Sequence, residues 1–213
     1  MAEPAPTPAP QWQRRKAERP AEIADAALRC FAERGFAATR LDDVAKRAGV
    51  TKGTLYLYFP NKEELFKAVV RQFVIPNLTR SEAIASQSTM PASEVLAQLL
   101  ENWARVMVPP ASAIPKIVLS EAGNFPDITR FYLDEVVHRG LALFEGLLKA
   151  GIERGEFRRV DTHYAAHCIA APMLLGMLWR HSFEPLDGQP LDMLALARTH
   201  LQLLASGLEA DRT

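Results

Sequence analysis

Residues 41–62, LDDVAKRAGVTKGTLYLYFPNK, confine the fold more tightly than any other stretch of the chain. Leu41, Val44, Ala45 and Ala48 recur at offsets of three and four, which gathers them into one apolar stripe on a short helix with Asp42, Asp43, Lys46 and Arg47 facing out. Gly49 follows, where a left-handed residue closes a helix, and Val50 can turn back inward. Thr51 is placed to cap a second helix whose Leu55 and Phe59 face the interior at a spacing of four. Lys52, Gly53, Thr54, Tyr56 and Tyr58 remain on or near its outer side. Pro60 stops that helix, and Asn61 can cap a third, with Glu64 at the position from which a carboxylate reaches back to the cap. Two short helices joined by a tight glycine turn make a helix-turn-helix, whose second member enters the DNA major groove.

This stretch and its flanks resemble the N-terminal DNA-binding domain of the TetR family of transcriptional regulators. The resemblance runs from about Arg19 to Val70. It is carried by Ala27, Phe31, Gly35, Phe36, Thr39, Val44, Ala45, Ala48, Gly49, Val50, the run Lys52-Gly53-Thr54-Leu55-Tyr56, then Tyr58, Phe59, Asn61, Lys62, Glu63 and Leu65. It implies an all-α chain: a disordered Pro-rich and basic tail over residues 1–18, a three-helix helix-turn-helix domain over 19–65, and a helical bundle over 66–213 for ligand binding and dimerisation. The implied function is a ligand-responsive repressor that holds a near-palindromic double-stranded DNA operator as a homodimer and is released by a small apolar or amphipathic effector. Carried over residue by residue, the resemblance assigns Lys52, Thr54 and Tyr56 to base edges and Gly53 to close approach. It assigns Tyr58, Lys62 and Thr39 to phosphates. Asp42 departs from the pattern, because many relatives place a DNA-contacting residue there. A carboxylate at that place is repelled by phosphate or must accept from a cytosine amino group.

The rest of the front end fits this reading. Pro recurs at positions 4, 6, 8 and 10, a composition that cannot build a core. Arg14 and Arg15, with Lys16, form a basic arm able to follow a phosphate backbone or enter a minor groove. Pro20 suits the first turn of a helix whose Ile23, Ala24, Ala27, Leu28 and Phe31 face inward. Gly35 ends it, Phe36 folds back, and Thr39 is expected to cap the next helix. The net formal charge is zero, yet residues 1–62 hold eleven Lys and Arg against seven Asp and Glu. A chain that is basic in front meets phosphate at that end.

Beyond Asn61 the periodicity is helical. One helix carries Leu65, Phe66, Val69, Val70, Phe73 and Val74 and is interrupted near Pro76. By the resemblance it connects the two domains and acts as a lever. Further helices are expected over 92–108, 112–122, 126–154, 162–181 and 190–208. Residues 165–179 are apolar nearly all round, and Leu194, Leu201 and Leu208 repeat at seven. Such surplus apolar surface suggests a partner subunit, and the resemblance implies that the last two helices form a four-helix interface with a second copy of the chain. Trp103, Met107, Phe125, Phe131, Tyr132, Phe144, Met173 and Met177 are candidates to line the effector pocket, with Asn102, His138 and His167 as polar anchors.

Other chemistry finds little support. His163 and His167 stand at i and i+4, but no further ligand set accompanies them, so no metal and no cofactor are expected. The sequence carries none of GxGxxG, GxxxxGK[ST], GxSxG or HExxH. A small helical enzyme, or a ligand-binding module without sequence-specific DNA binding, is the competing reading. Cys30 and Cys168 are the only cysteines and are expected as buried thiols in a reducing compartment. No apolar run is long enough to span a bilayer, which makes a cytoplasmic location the expectation.

Overall fold

A computed structural model describes residues 11–208, with side chains from residue 18 onward. The alternating prolines at 4–10 lie outside the described residues. The backbone of residues 11–18, expected within the tail, is helical: α1 spans Gln11–Arg34 with Pro20 inside it. Side chains of Arg14 and Arg15 lie outside the described residues.

The head of the molecule follows the local signals. Helix α2 covers Leu41–Arg47 and α3 Lys52–Tyr58, separated by Gly49 at φ +65°, the left-handed region that favours glycine. The Thr51 hydroxyl accepts from the Thr54 amide at 3.1 Å, and Asn61 accepts from the Glu64 amide at 2.8 Å to open α4, Lys62–Phe73. The Glu64 carboxylate does not return to the cap residue; it binds Lys67 Nζ at 2.8 Å one turn along its own helix. Ile23, Leu28, Phe31, Phe36, Leu55, Leu65 and Phe66 are fully buried between α1, α3 and α4. Burying such side chains stabilises the head by ~1.5–3 kcal/mol each. Phe31, Phe36 and Phe66 meet pairwise with ring centroids 5.4–5.7 Å apart. On the outer side, Arg47 donates to both oxygens of Glu33 at 2.7 Å and Arg34 to Asp43 at 2.8 Å, tying α1 to α2.

The remainder is a helical bundle: α5 Ile75–Gln87, α6 Ala92–Val106, α7 Ile114–Glu121 after a short 3₁₀ turn, α8 Pro126–Tyr132, α9 His138–Glu153, α10 Thr162–Ser182, α11 Glu184–Asp187 and α12 Met193–Leu208. The single helix expected over 126–154 is in fact two α-helices joined by a π-helical turn at Leu133–Val137. Helices α6, α9, α10 and α12 enclose a second core around Leu96, Leu100, Leu148, Ile169, Met173 and Ala197. Gly176 permits the close approach of α12 to α10, since a Cβ there would stand 2.6 Å from Met193 Sδ. Among the described residues no helix is long and apolar enough to cross a membrane.

The head and the bundle share a core. The cluster that holds Phe31, Phe36 and Phe66 continues without a break into Ile114, Ile117 and Val118 of α7 and Ile128 and Tyr132 of α8.

Candidate functional site

The face of α3 that points away from the core displays Lys52, Gly53 and Tyr56, with Tyr56 44% exposed. Thr54 is half-buried, and its hydroxyl lies 2.9 Å from that of Thr51, so the helix cap already engages it. Lys52 Nζ sits 2.8 Å from one Asp42 oxygen, 3.1 Å from the other, and 6.0 Å from the centre of the Tyr56 ring. The Asp42 carboxylate beside it raises the Lys52 pKa above its usual range. The departure noted at Asp42 thus has a local account, because its charge is paired across the turn with the lysine of the next helix. Two further exposed residues of the helix-turn-helix were not singled out from the sequence. Leu57 is 83% exposed near the end of α3, and Arg40, the residue preceding α2, is also exposed. The only signal for Leu57 was an apolar residue off the inward stripe of Leu55 and Phe59.

Two residues expected at phosphates are turned inward. Thr39 is 2% exposed, and its hydroxyl faces the carbonyls of Gly35 at 2.7 Å and Cys30 at 3.2 Å; Arg40, not Thr39, precedes α2. It stitches the end of α1 to the connecting loop. Lys62 bends back over the same loop and donates to the carbonyls of Phe36 at 2.8 Å, Ala37 at 3.0 Å and Thr39 at 3.2 Å. Its ammonium also stands 4.6 Å from the Phe36 ring centre and 5.8 Å from that of Phe125. Burial lowers its pKa. Three loop carbonyls that no helix satisfies supply the reason for this pose. Tyr58 is half-buried against the core of the head.

Within the bundle lies a cavity of about 400 Å³, in the lower part of the range typical of small-molecule sites. Helices α5 to α10 all contribute to its wall. Trp103, Met107, Tyr132, Phe144, Met177 and Asn102 line it as expected. The other five candidates do not. Phe125 packs edge-on against Phe36 at 4.8 Å, and Phe131 lies under Arg71 at 4.9 Å and Lys67 at 5.9 Å. His138 is exposed with Nδ1 3.3 Å from Asp134. His167 is exposed on the outside of α10 with Nδ1 donating to the His163 carbonyl at 2.9 Å, and Met173 is wholly enclosed in the bundle core. Aromatic and Met residues at helical spacing serve core and cavity alike, so spacing could not separate them. Asn77 and Ser81 of α5, Val118 and Leu119 of α7, and Leu133, Val136 and Val137 of the π turn complete much of the wall. Among the described residues no Asp, Glu, Lys, Arg or His lines it.

Helix α7 joins the two regions. Its Pro115, Val118 and Leu119 border the cavity, while Ile114 and Ile117 sit in the core of the head. At its end Glu121, 9% exposed, accepts from the Ala37 amide at 3.1 Å, and its second oxygen accepts from Asn124 Nδ2 at 3.2 Å.

The last long helices keep an apolar outer face. Tyr164, Leu175 and Trp179 of α10 and Leu203 of α12 are exposed at 69%, 59%, 39% and 72%. Cys168 lies on the outside of α10, contrary to the expectation of a buried thiol, whereas Cys30 is buried. The near-uniform apolarity of α10 reflects a helix with one apolar face in the bundle and another that is exposed.

Comparison with known proteins agrees with this architecture. Residues 23–69 match the family described as bacterial regulatory proteins, tetR family, and residues 93–199 match the tetracyclin repressor-like C-terminal domain. The fatty acid metabolism regulator protein of Bacillus subtilis is 30% identical over 194 residues, covering 88% of this chain and 94% of its own. The transcriptional repressor KstR2 of Rhodococcus jostii is 28% identical, covering 91% of this chain and 92% of its own. Among solved structures, FadR from Bacillus subtilis in complex with stearoyl-CoA superposes with a TM-score of 0.70 at 26% identity, covering 88% of this chain and 98% of that one.

Proposed function

Since the chain belongs to the TetR family of bacterial regulatory proteins and is a DNA-binding, ligand-responsive transcriptional regulator and not an enzyme, we infer how its parts divide the work. Residues 19–65 form the reading head and residues 66–213 the sensing and pairing domain. Two heads of a homodimer enter successive major grooves of a near-palindromic operator in the cytoplasm. Lys52, Thr54 and Tyr56 meet base edges, Gly53 allows the helix start to approach closely, and Leu57 is placed for a thymine methyl. Arg40 takes the place of Thr39 and Lys62 beside Tyr58 as a phosphate contact of the helix-turn-helix, and Arg14 and Arg15 add to them. Residues Tyr164, Leu175, Trp179 and Leu203 pair with their counterparts in the second copy.

The observation that carries the regulatory reading is the double role of α7, which walls the cavity with Val118 and Leu119 and holds the head through Glu121 and Ala37. A ligand that fills the cavity displaces α7 and favours an arrangement of the heads that no longer matches the operator, a shift between existing states. The apolar wall selects an apolar effector, or the apolar part of an amphiphile. The stearoyl-CoA bound by the Bacillus subtilis relative is of that second kind. Selection of binding sites from random DNA, followed by a gel shift on the selected sequence with and without ligand, tests the reading. The expected outcome is a two-fold symmetric site whose complex dissociates on ligand addition. Binding to DNA without sequence preference at low salt would overturn it.

A further inference from the structure

Tyr132 closes α8 with its side chain only 9% exposed, and among the described residues its hydroxyl has no hydrogen-bond partner. No described side-chain nitrogen or oxygen is both sealed from solvent and unpartnered, so the phenol oxygen opens on accessible space. Tyr132 is one of the residues that line the cavity. A hydroxyl left without a protein partner is available to donate to a ligand atom. Burial raises the phenol pKa far above its usual value, so the group remains a donor. Val118, Leu133, Val136, Phe144 and Met177 share the wall with it, and among the described residues no charged one lines the cavity. An ionised ligand group entering here would shed its water without meeting a counter-charge. The π-helical turn begins at the next residue and contributes three wall residues, and such turns inside helices concentrate at functional sites.

We propose that the effector is a neutral, largely hydrocarbon molecule bearing a carbonyl oxygen, and that Tyr132 selects it by donating a hydrogen bond to that oxygen. This rests on the reading of the cavity as the effector site. Asn102, also on the wall, carries a side-chain amide that can serve as a second donor. Ionised parts of a larger ligand remain outside the cavity mouth.

The test is calorimetric titration of the full chain, free of DNA, with three probes of one shape: para-tert-butylacetophenone, para-tert-butylethylbenzene and para-tert-butylbenzoate. The ketone should bind about tenfold more tightly than the hydrocarbon, the equivalent of one well-made hydrogen bond, and the benzoate more weakly than either. Tyr132→Phe should erase the preference for the ketone while leaving the melting temperature of the unliganded protein undiminished. A merely structural tyrosine would lower that temperature. A ketone preference that survives in Tyr132→Phe, equal binding of ketone and hydrocarbon, or tight binding of the benzoate would overturn the proposal. A gel shift of the same preparation reads operator binding separately, so loss of the regulator reading is distinguishable from loss of this one.

Discussion

Glu121 accepts a hydrogen bond from the backbone amide of Ala37 at 3.1 Å, joining residues 84 apart in sequence and placing the end of α7 on the loop between α1 and α2. The carboxylate is nearly enclosed, and Asn124 orients its other oxygen. Helix α7 therefore cannot shift without either carrying that loop along or releasing it. Glu121→Leu leaves the Ala37 amide unmet and should cost ~1–3 kcal/mol of stability, read as a lower denaturant midpoint. The same variant should keep effector affinity but need more effector to clear the operator. Unchanged coupling in a titration of the DNA complex would remove Glu121 from the transmission route.

Lys62 supports the same loop from the other side. Lys62→Met removes the donor that serves the carbonyls of Phe36, Ala37 and Thr39. Hydrogen bonds to a charged group contribute ~1.5–3 kcal/mol, so chemical unfolding should show a loss of that order. Operator discrimination, measured as the ratio of specific to non-specific affinity at one salt concentration, should hold. A variant that is fully stable and weakened toward every DNA alike would return Lys62 to the phosphates.

Asp42 pairs with Lys52 on the exposed side of the helix-turn-helix. In Asp42→Ala the ammonium loses its partner at 2.8 Å and is free for phosphate. Non-specific affinity should rise, and the slope of log affinity against log salt should steepen by about one unit. Discrimination between operator and random DNA should fall. Lys52→Ala should instead cost ~1–3 kcal/mol on the operator alone. Fluorescence anisotropy over a salt series separates the two variants.

Stability should depend on two half-buried imidazoles. His181 Nε2 lies 2.8 Å from Ser112 Oγ, and burial lowers its pKa from the ordinary 6.5, with Arg180 and Lys116 adding to the effect and Glu184 opposing it. His200 is lowered by burial too, while its bond to the Ile169 carbonyl opposes the shift. A depressed folded-state pKa means that the unfolded chain takes up the proton first. Their contribution is therefore complete above the unfolded value and is lost as pH falls from there through the folded value. Melting temperatures taken between about pH 7 and about pH 5 should decline less steeply in His181→Gln than in the parent. Equal slopes would contradict the assignment.

Much of the head was legible in the sequence because its signals are local. Gly49, Thr51 and Asn61 act on their own backbone neighbours, so spacing alone places the turn and two caps. The directions of Thr39 and Lys62 were not legible, because both answer to loop carbonyls whose position depends on the packing of α1 against α4. Phe125 and Phe131 show the same limit in the bundle: their helical register is right for an interior face, but that face meets Phe36 and Arg71 and not the cavity. The π-helical turn at Leu133–Val137 left no trace in composition, since it is the same chain wound by one extra residue. Asp42 is the instructive case, for its effect depends on Lys52, ten residues on, and neither residue alone reveals the pair.

The unbroken cluster from Ile23 to Tyr132 bears on how such regulators can be recombined. A reading head cut away after Leu65 and grafted onto a foreign sensor would leave Ile114, Ile117 and Ile128 facing a surface they were not shaped for. A working chimera must transplant α7 and α8 together with α1 to α4, two blocks that are separate along the chain. Specificity for DNA and for effector are thus inherited through a common joint, and exchanging one cleanly requires matching the other at that seam.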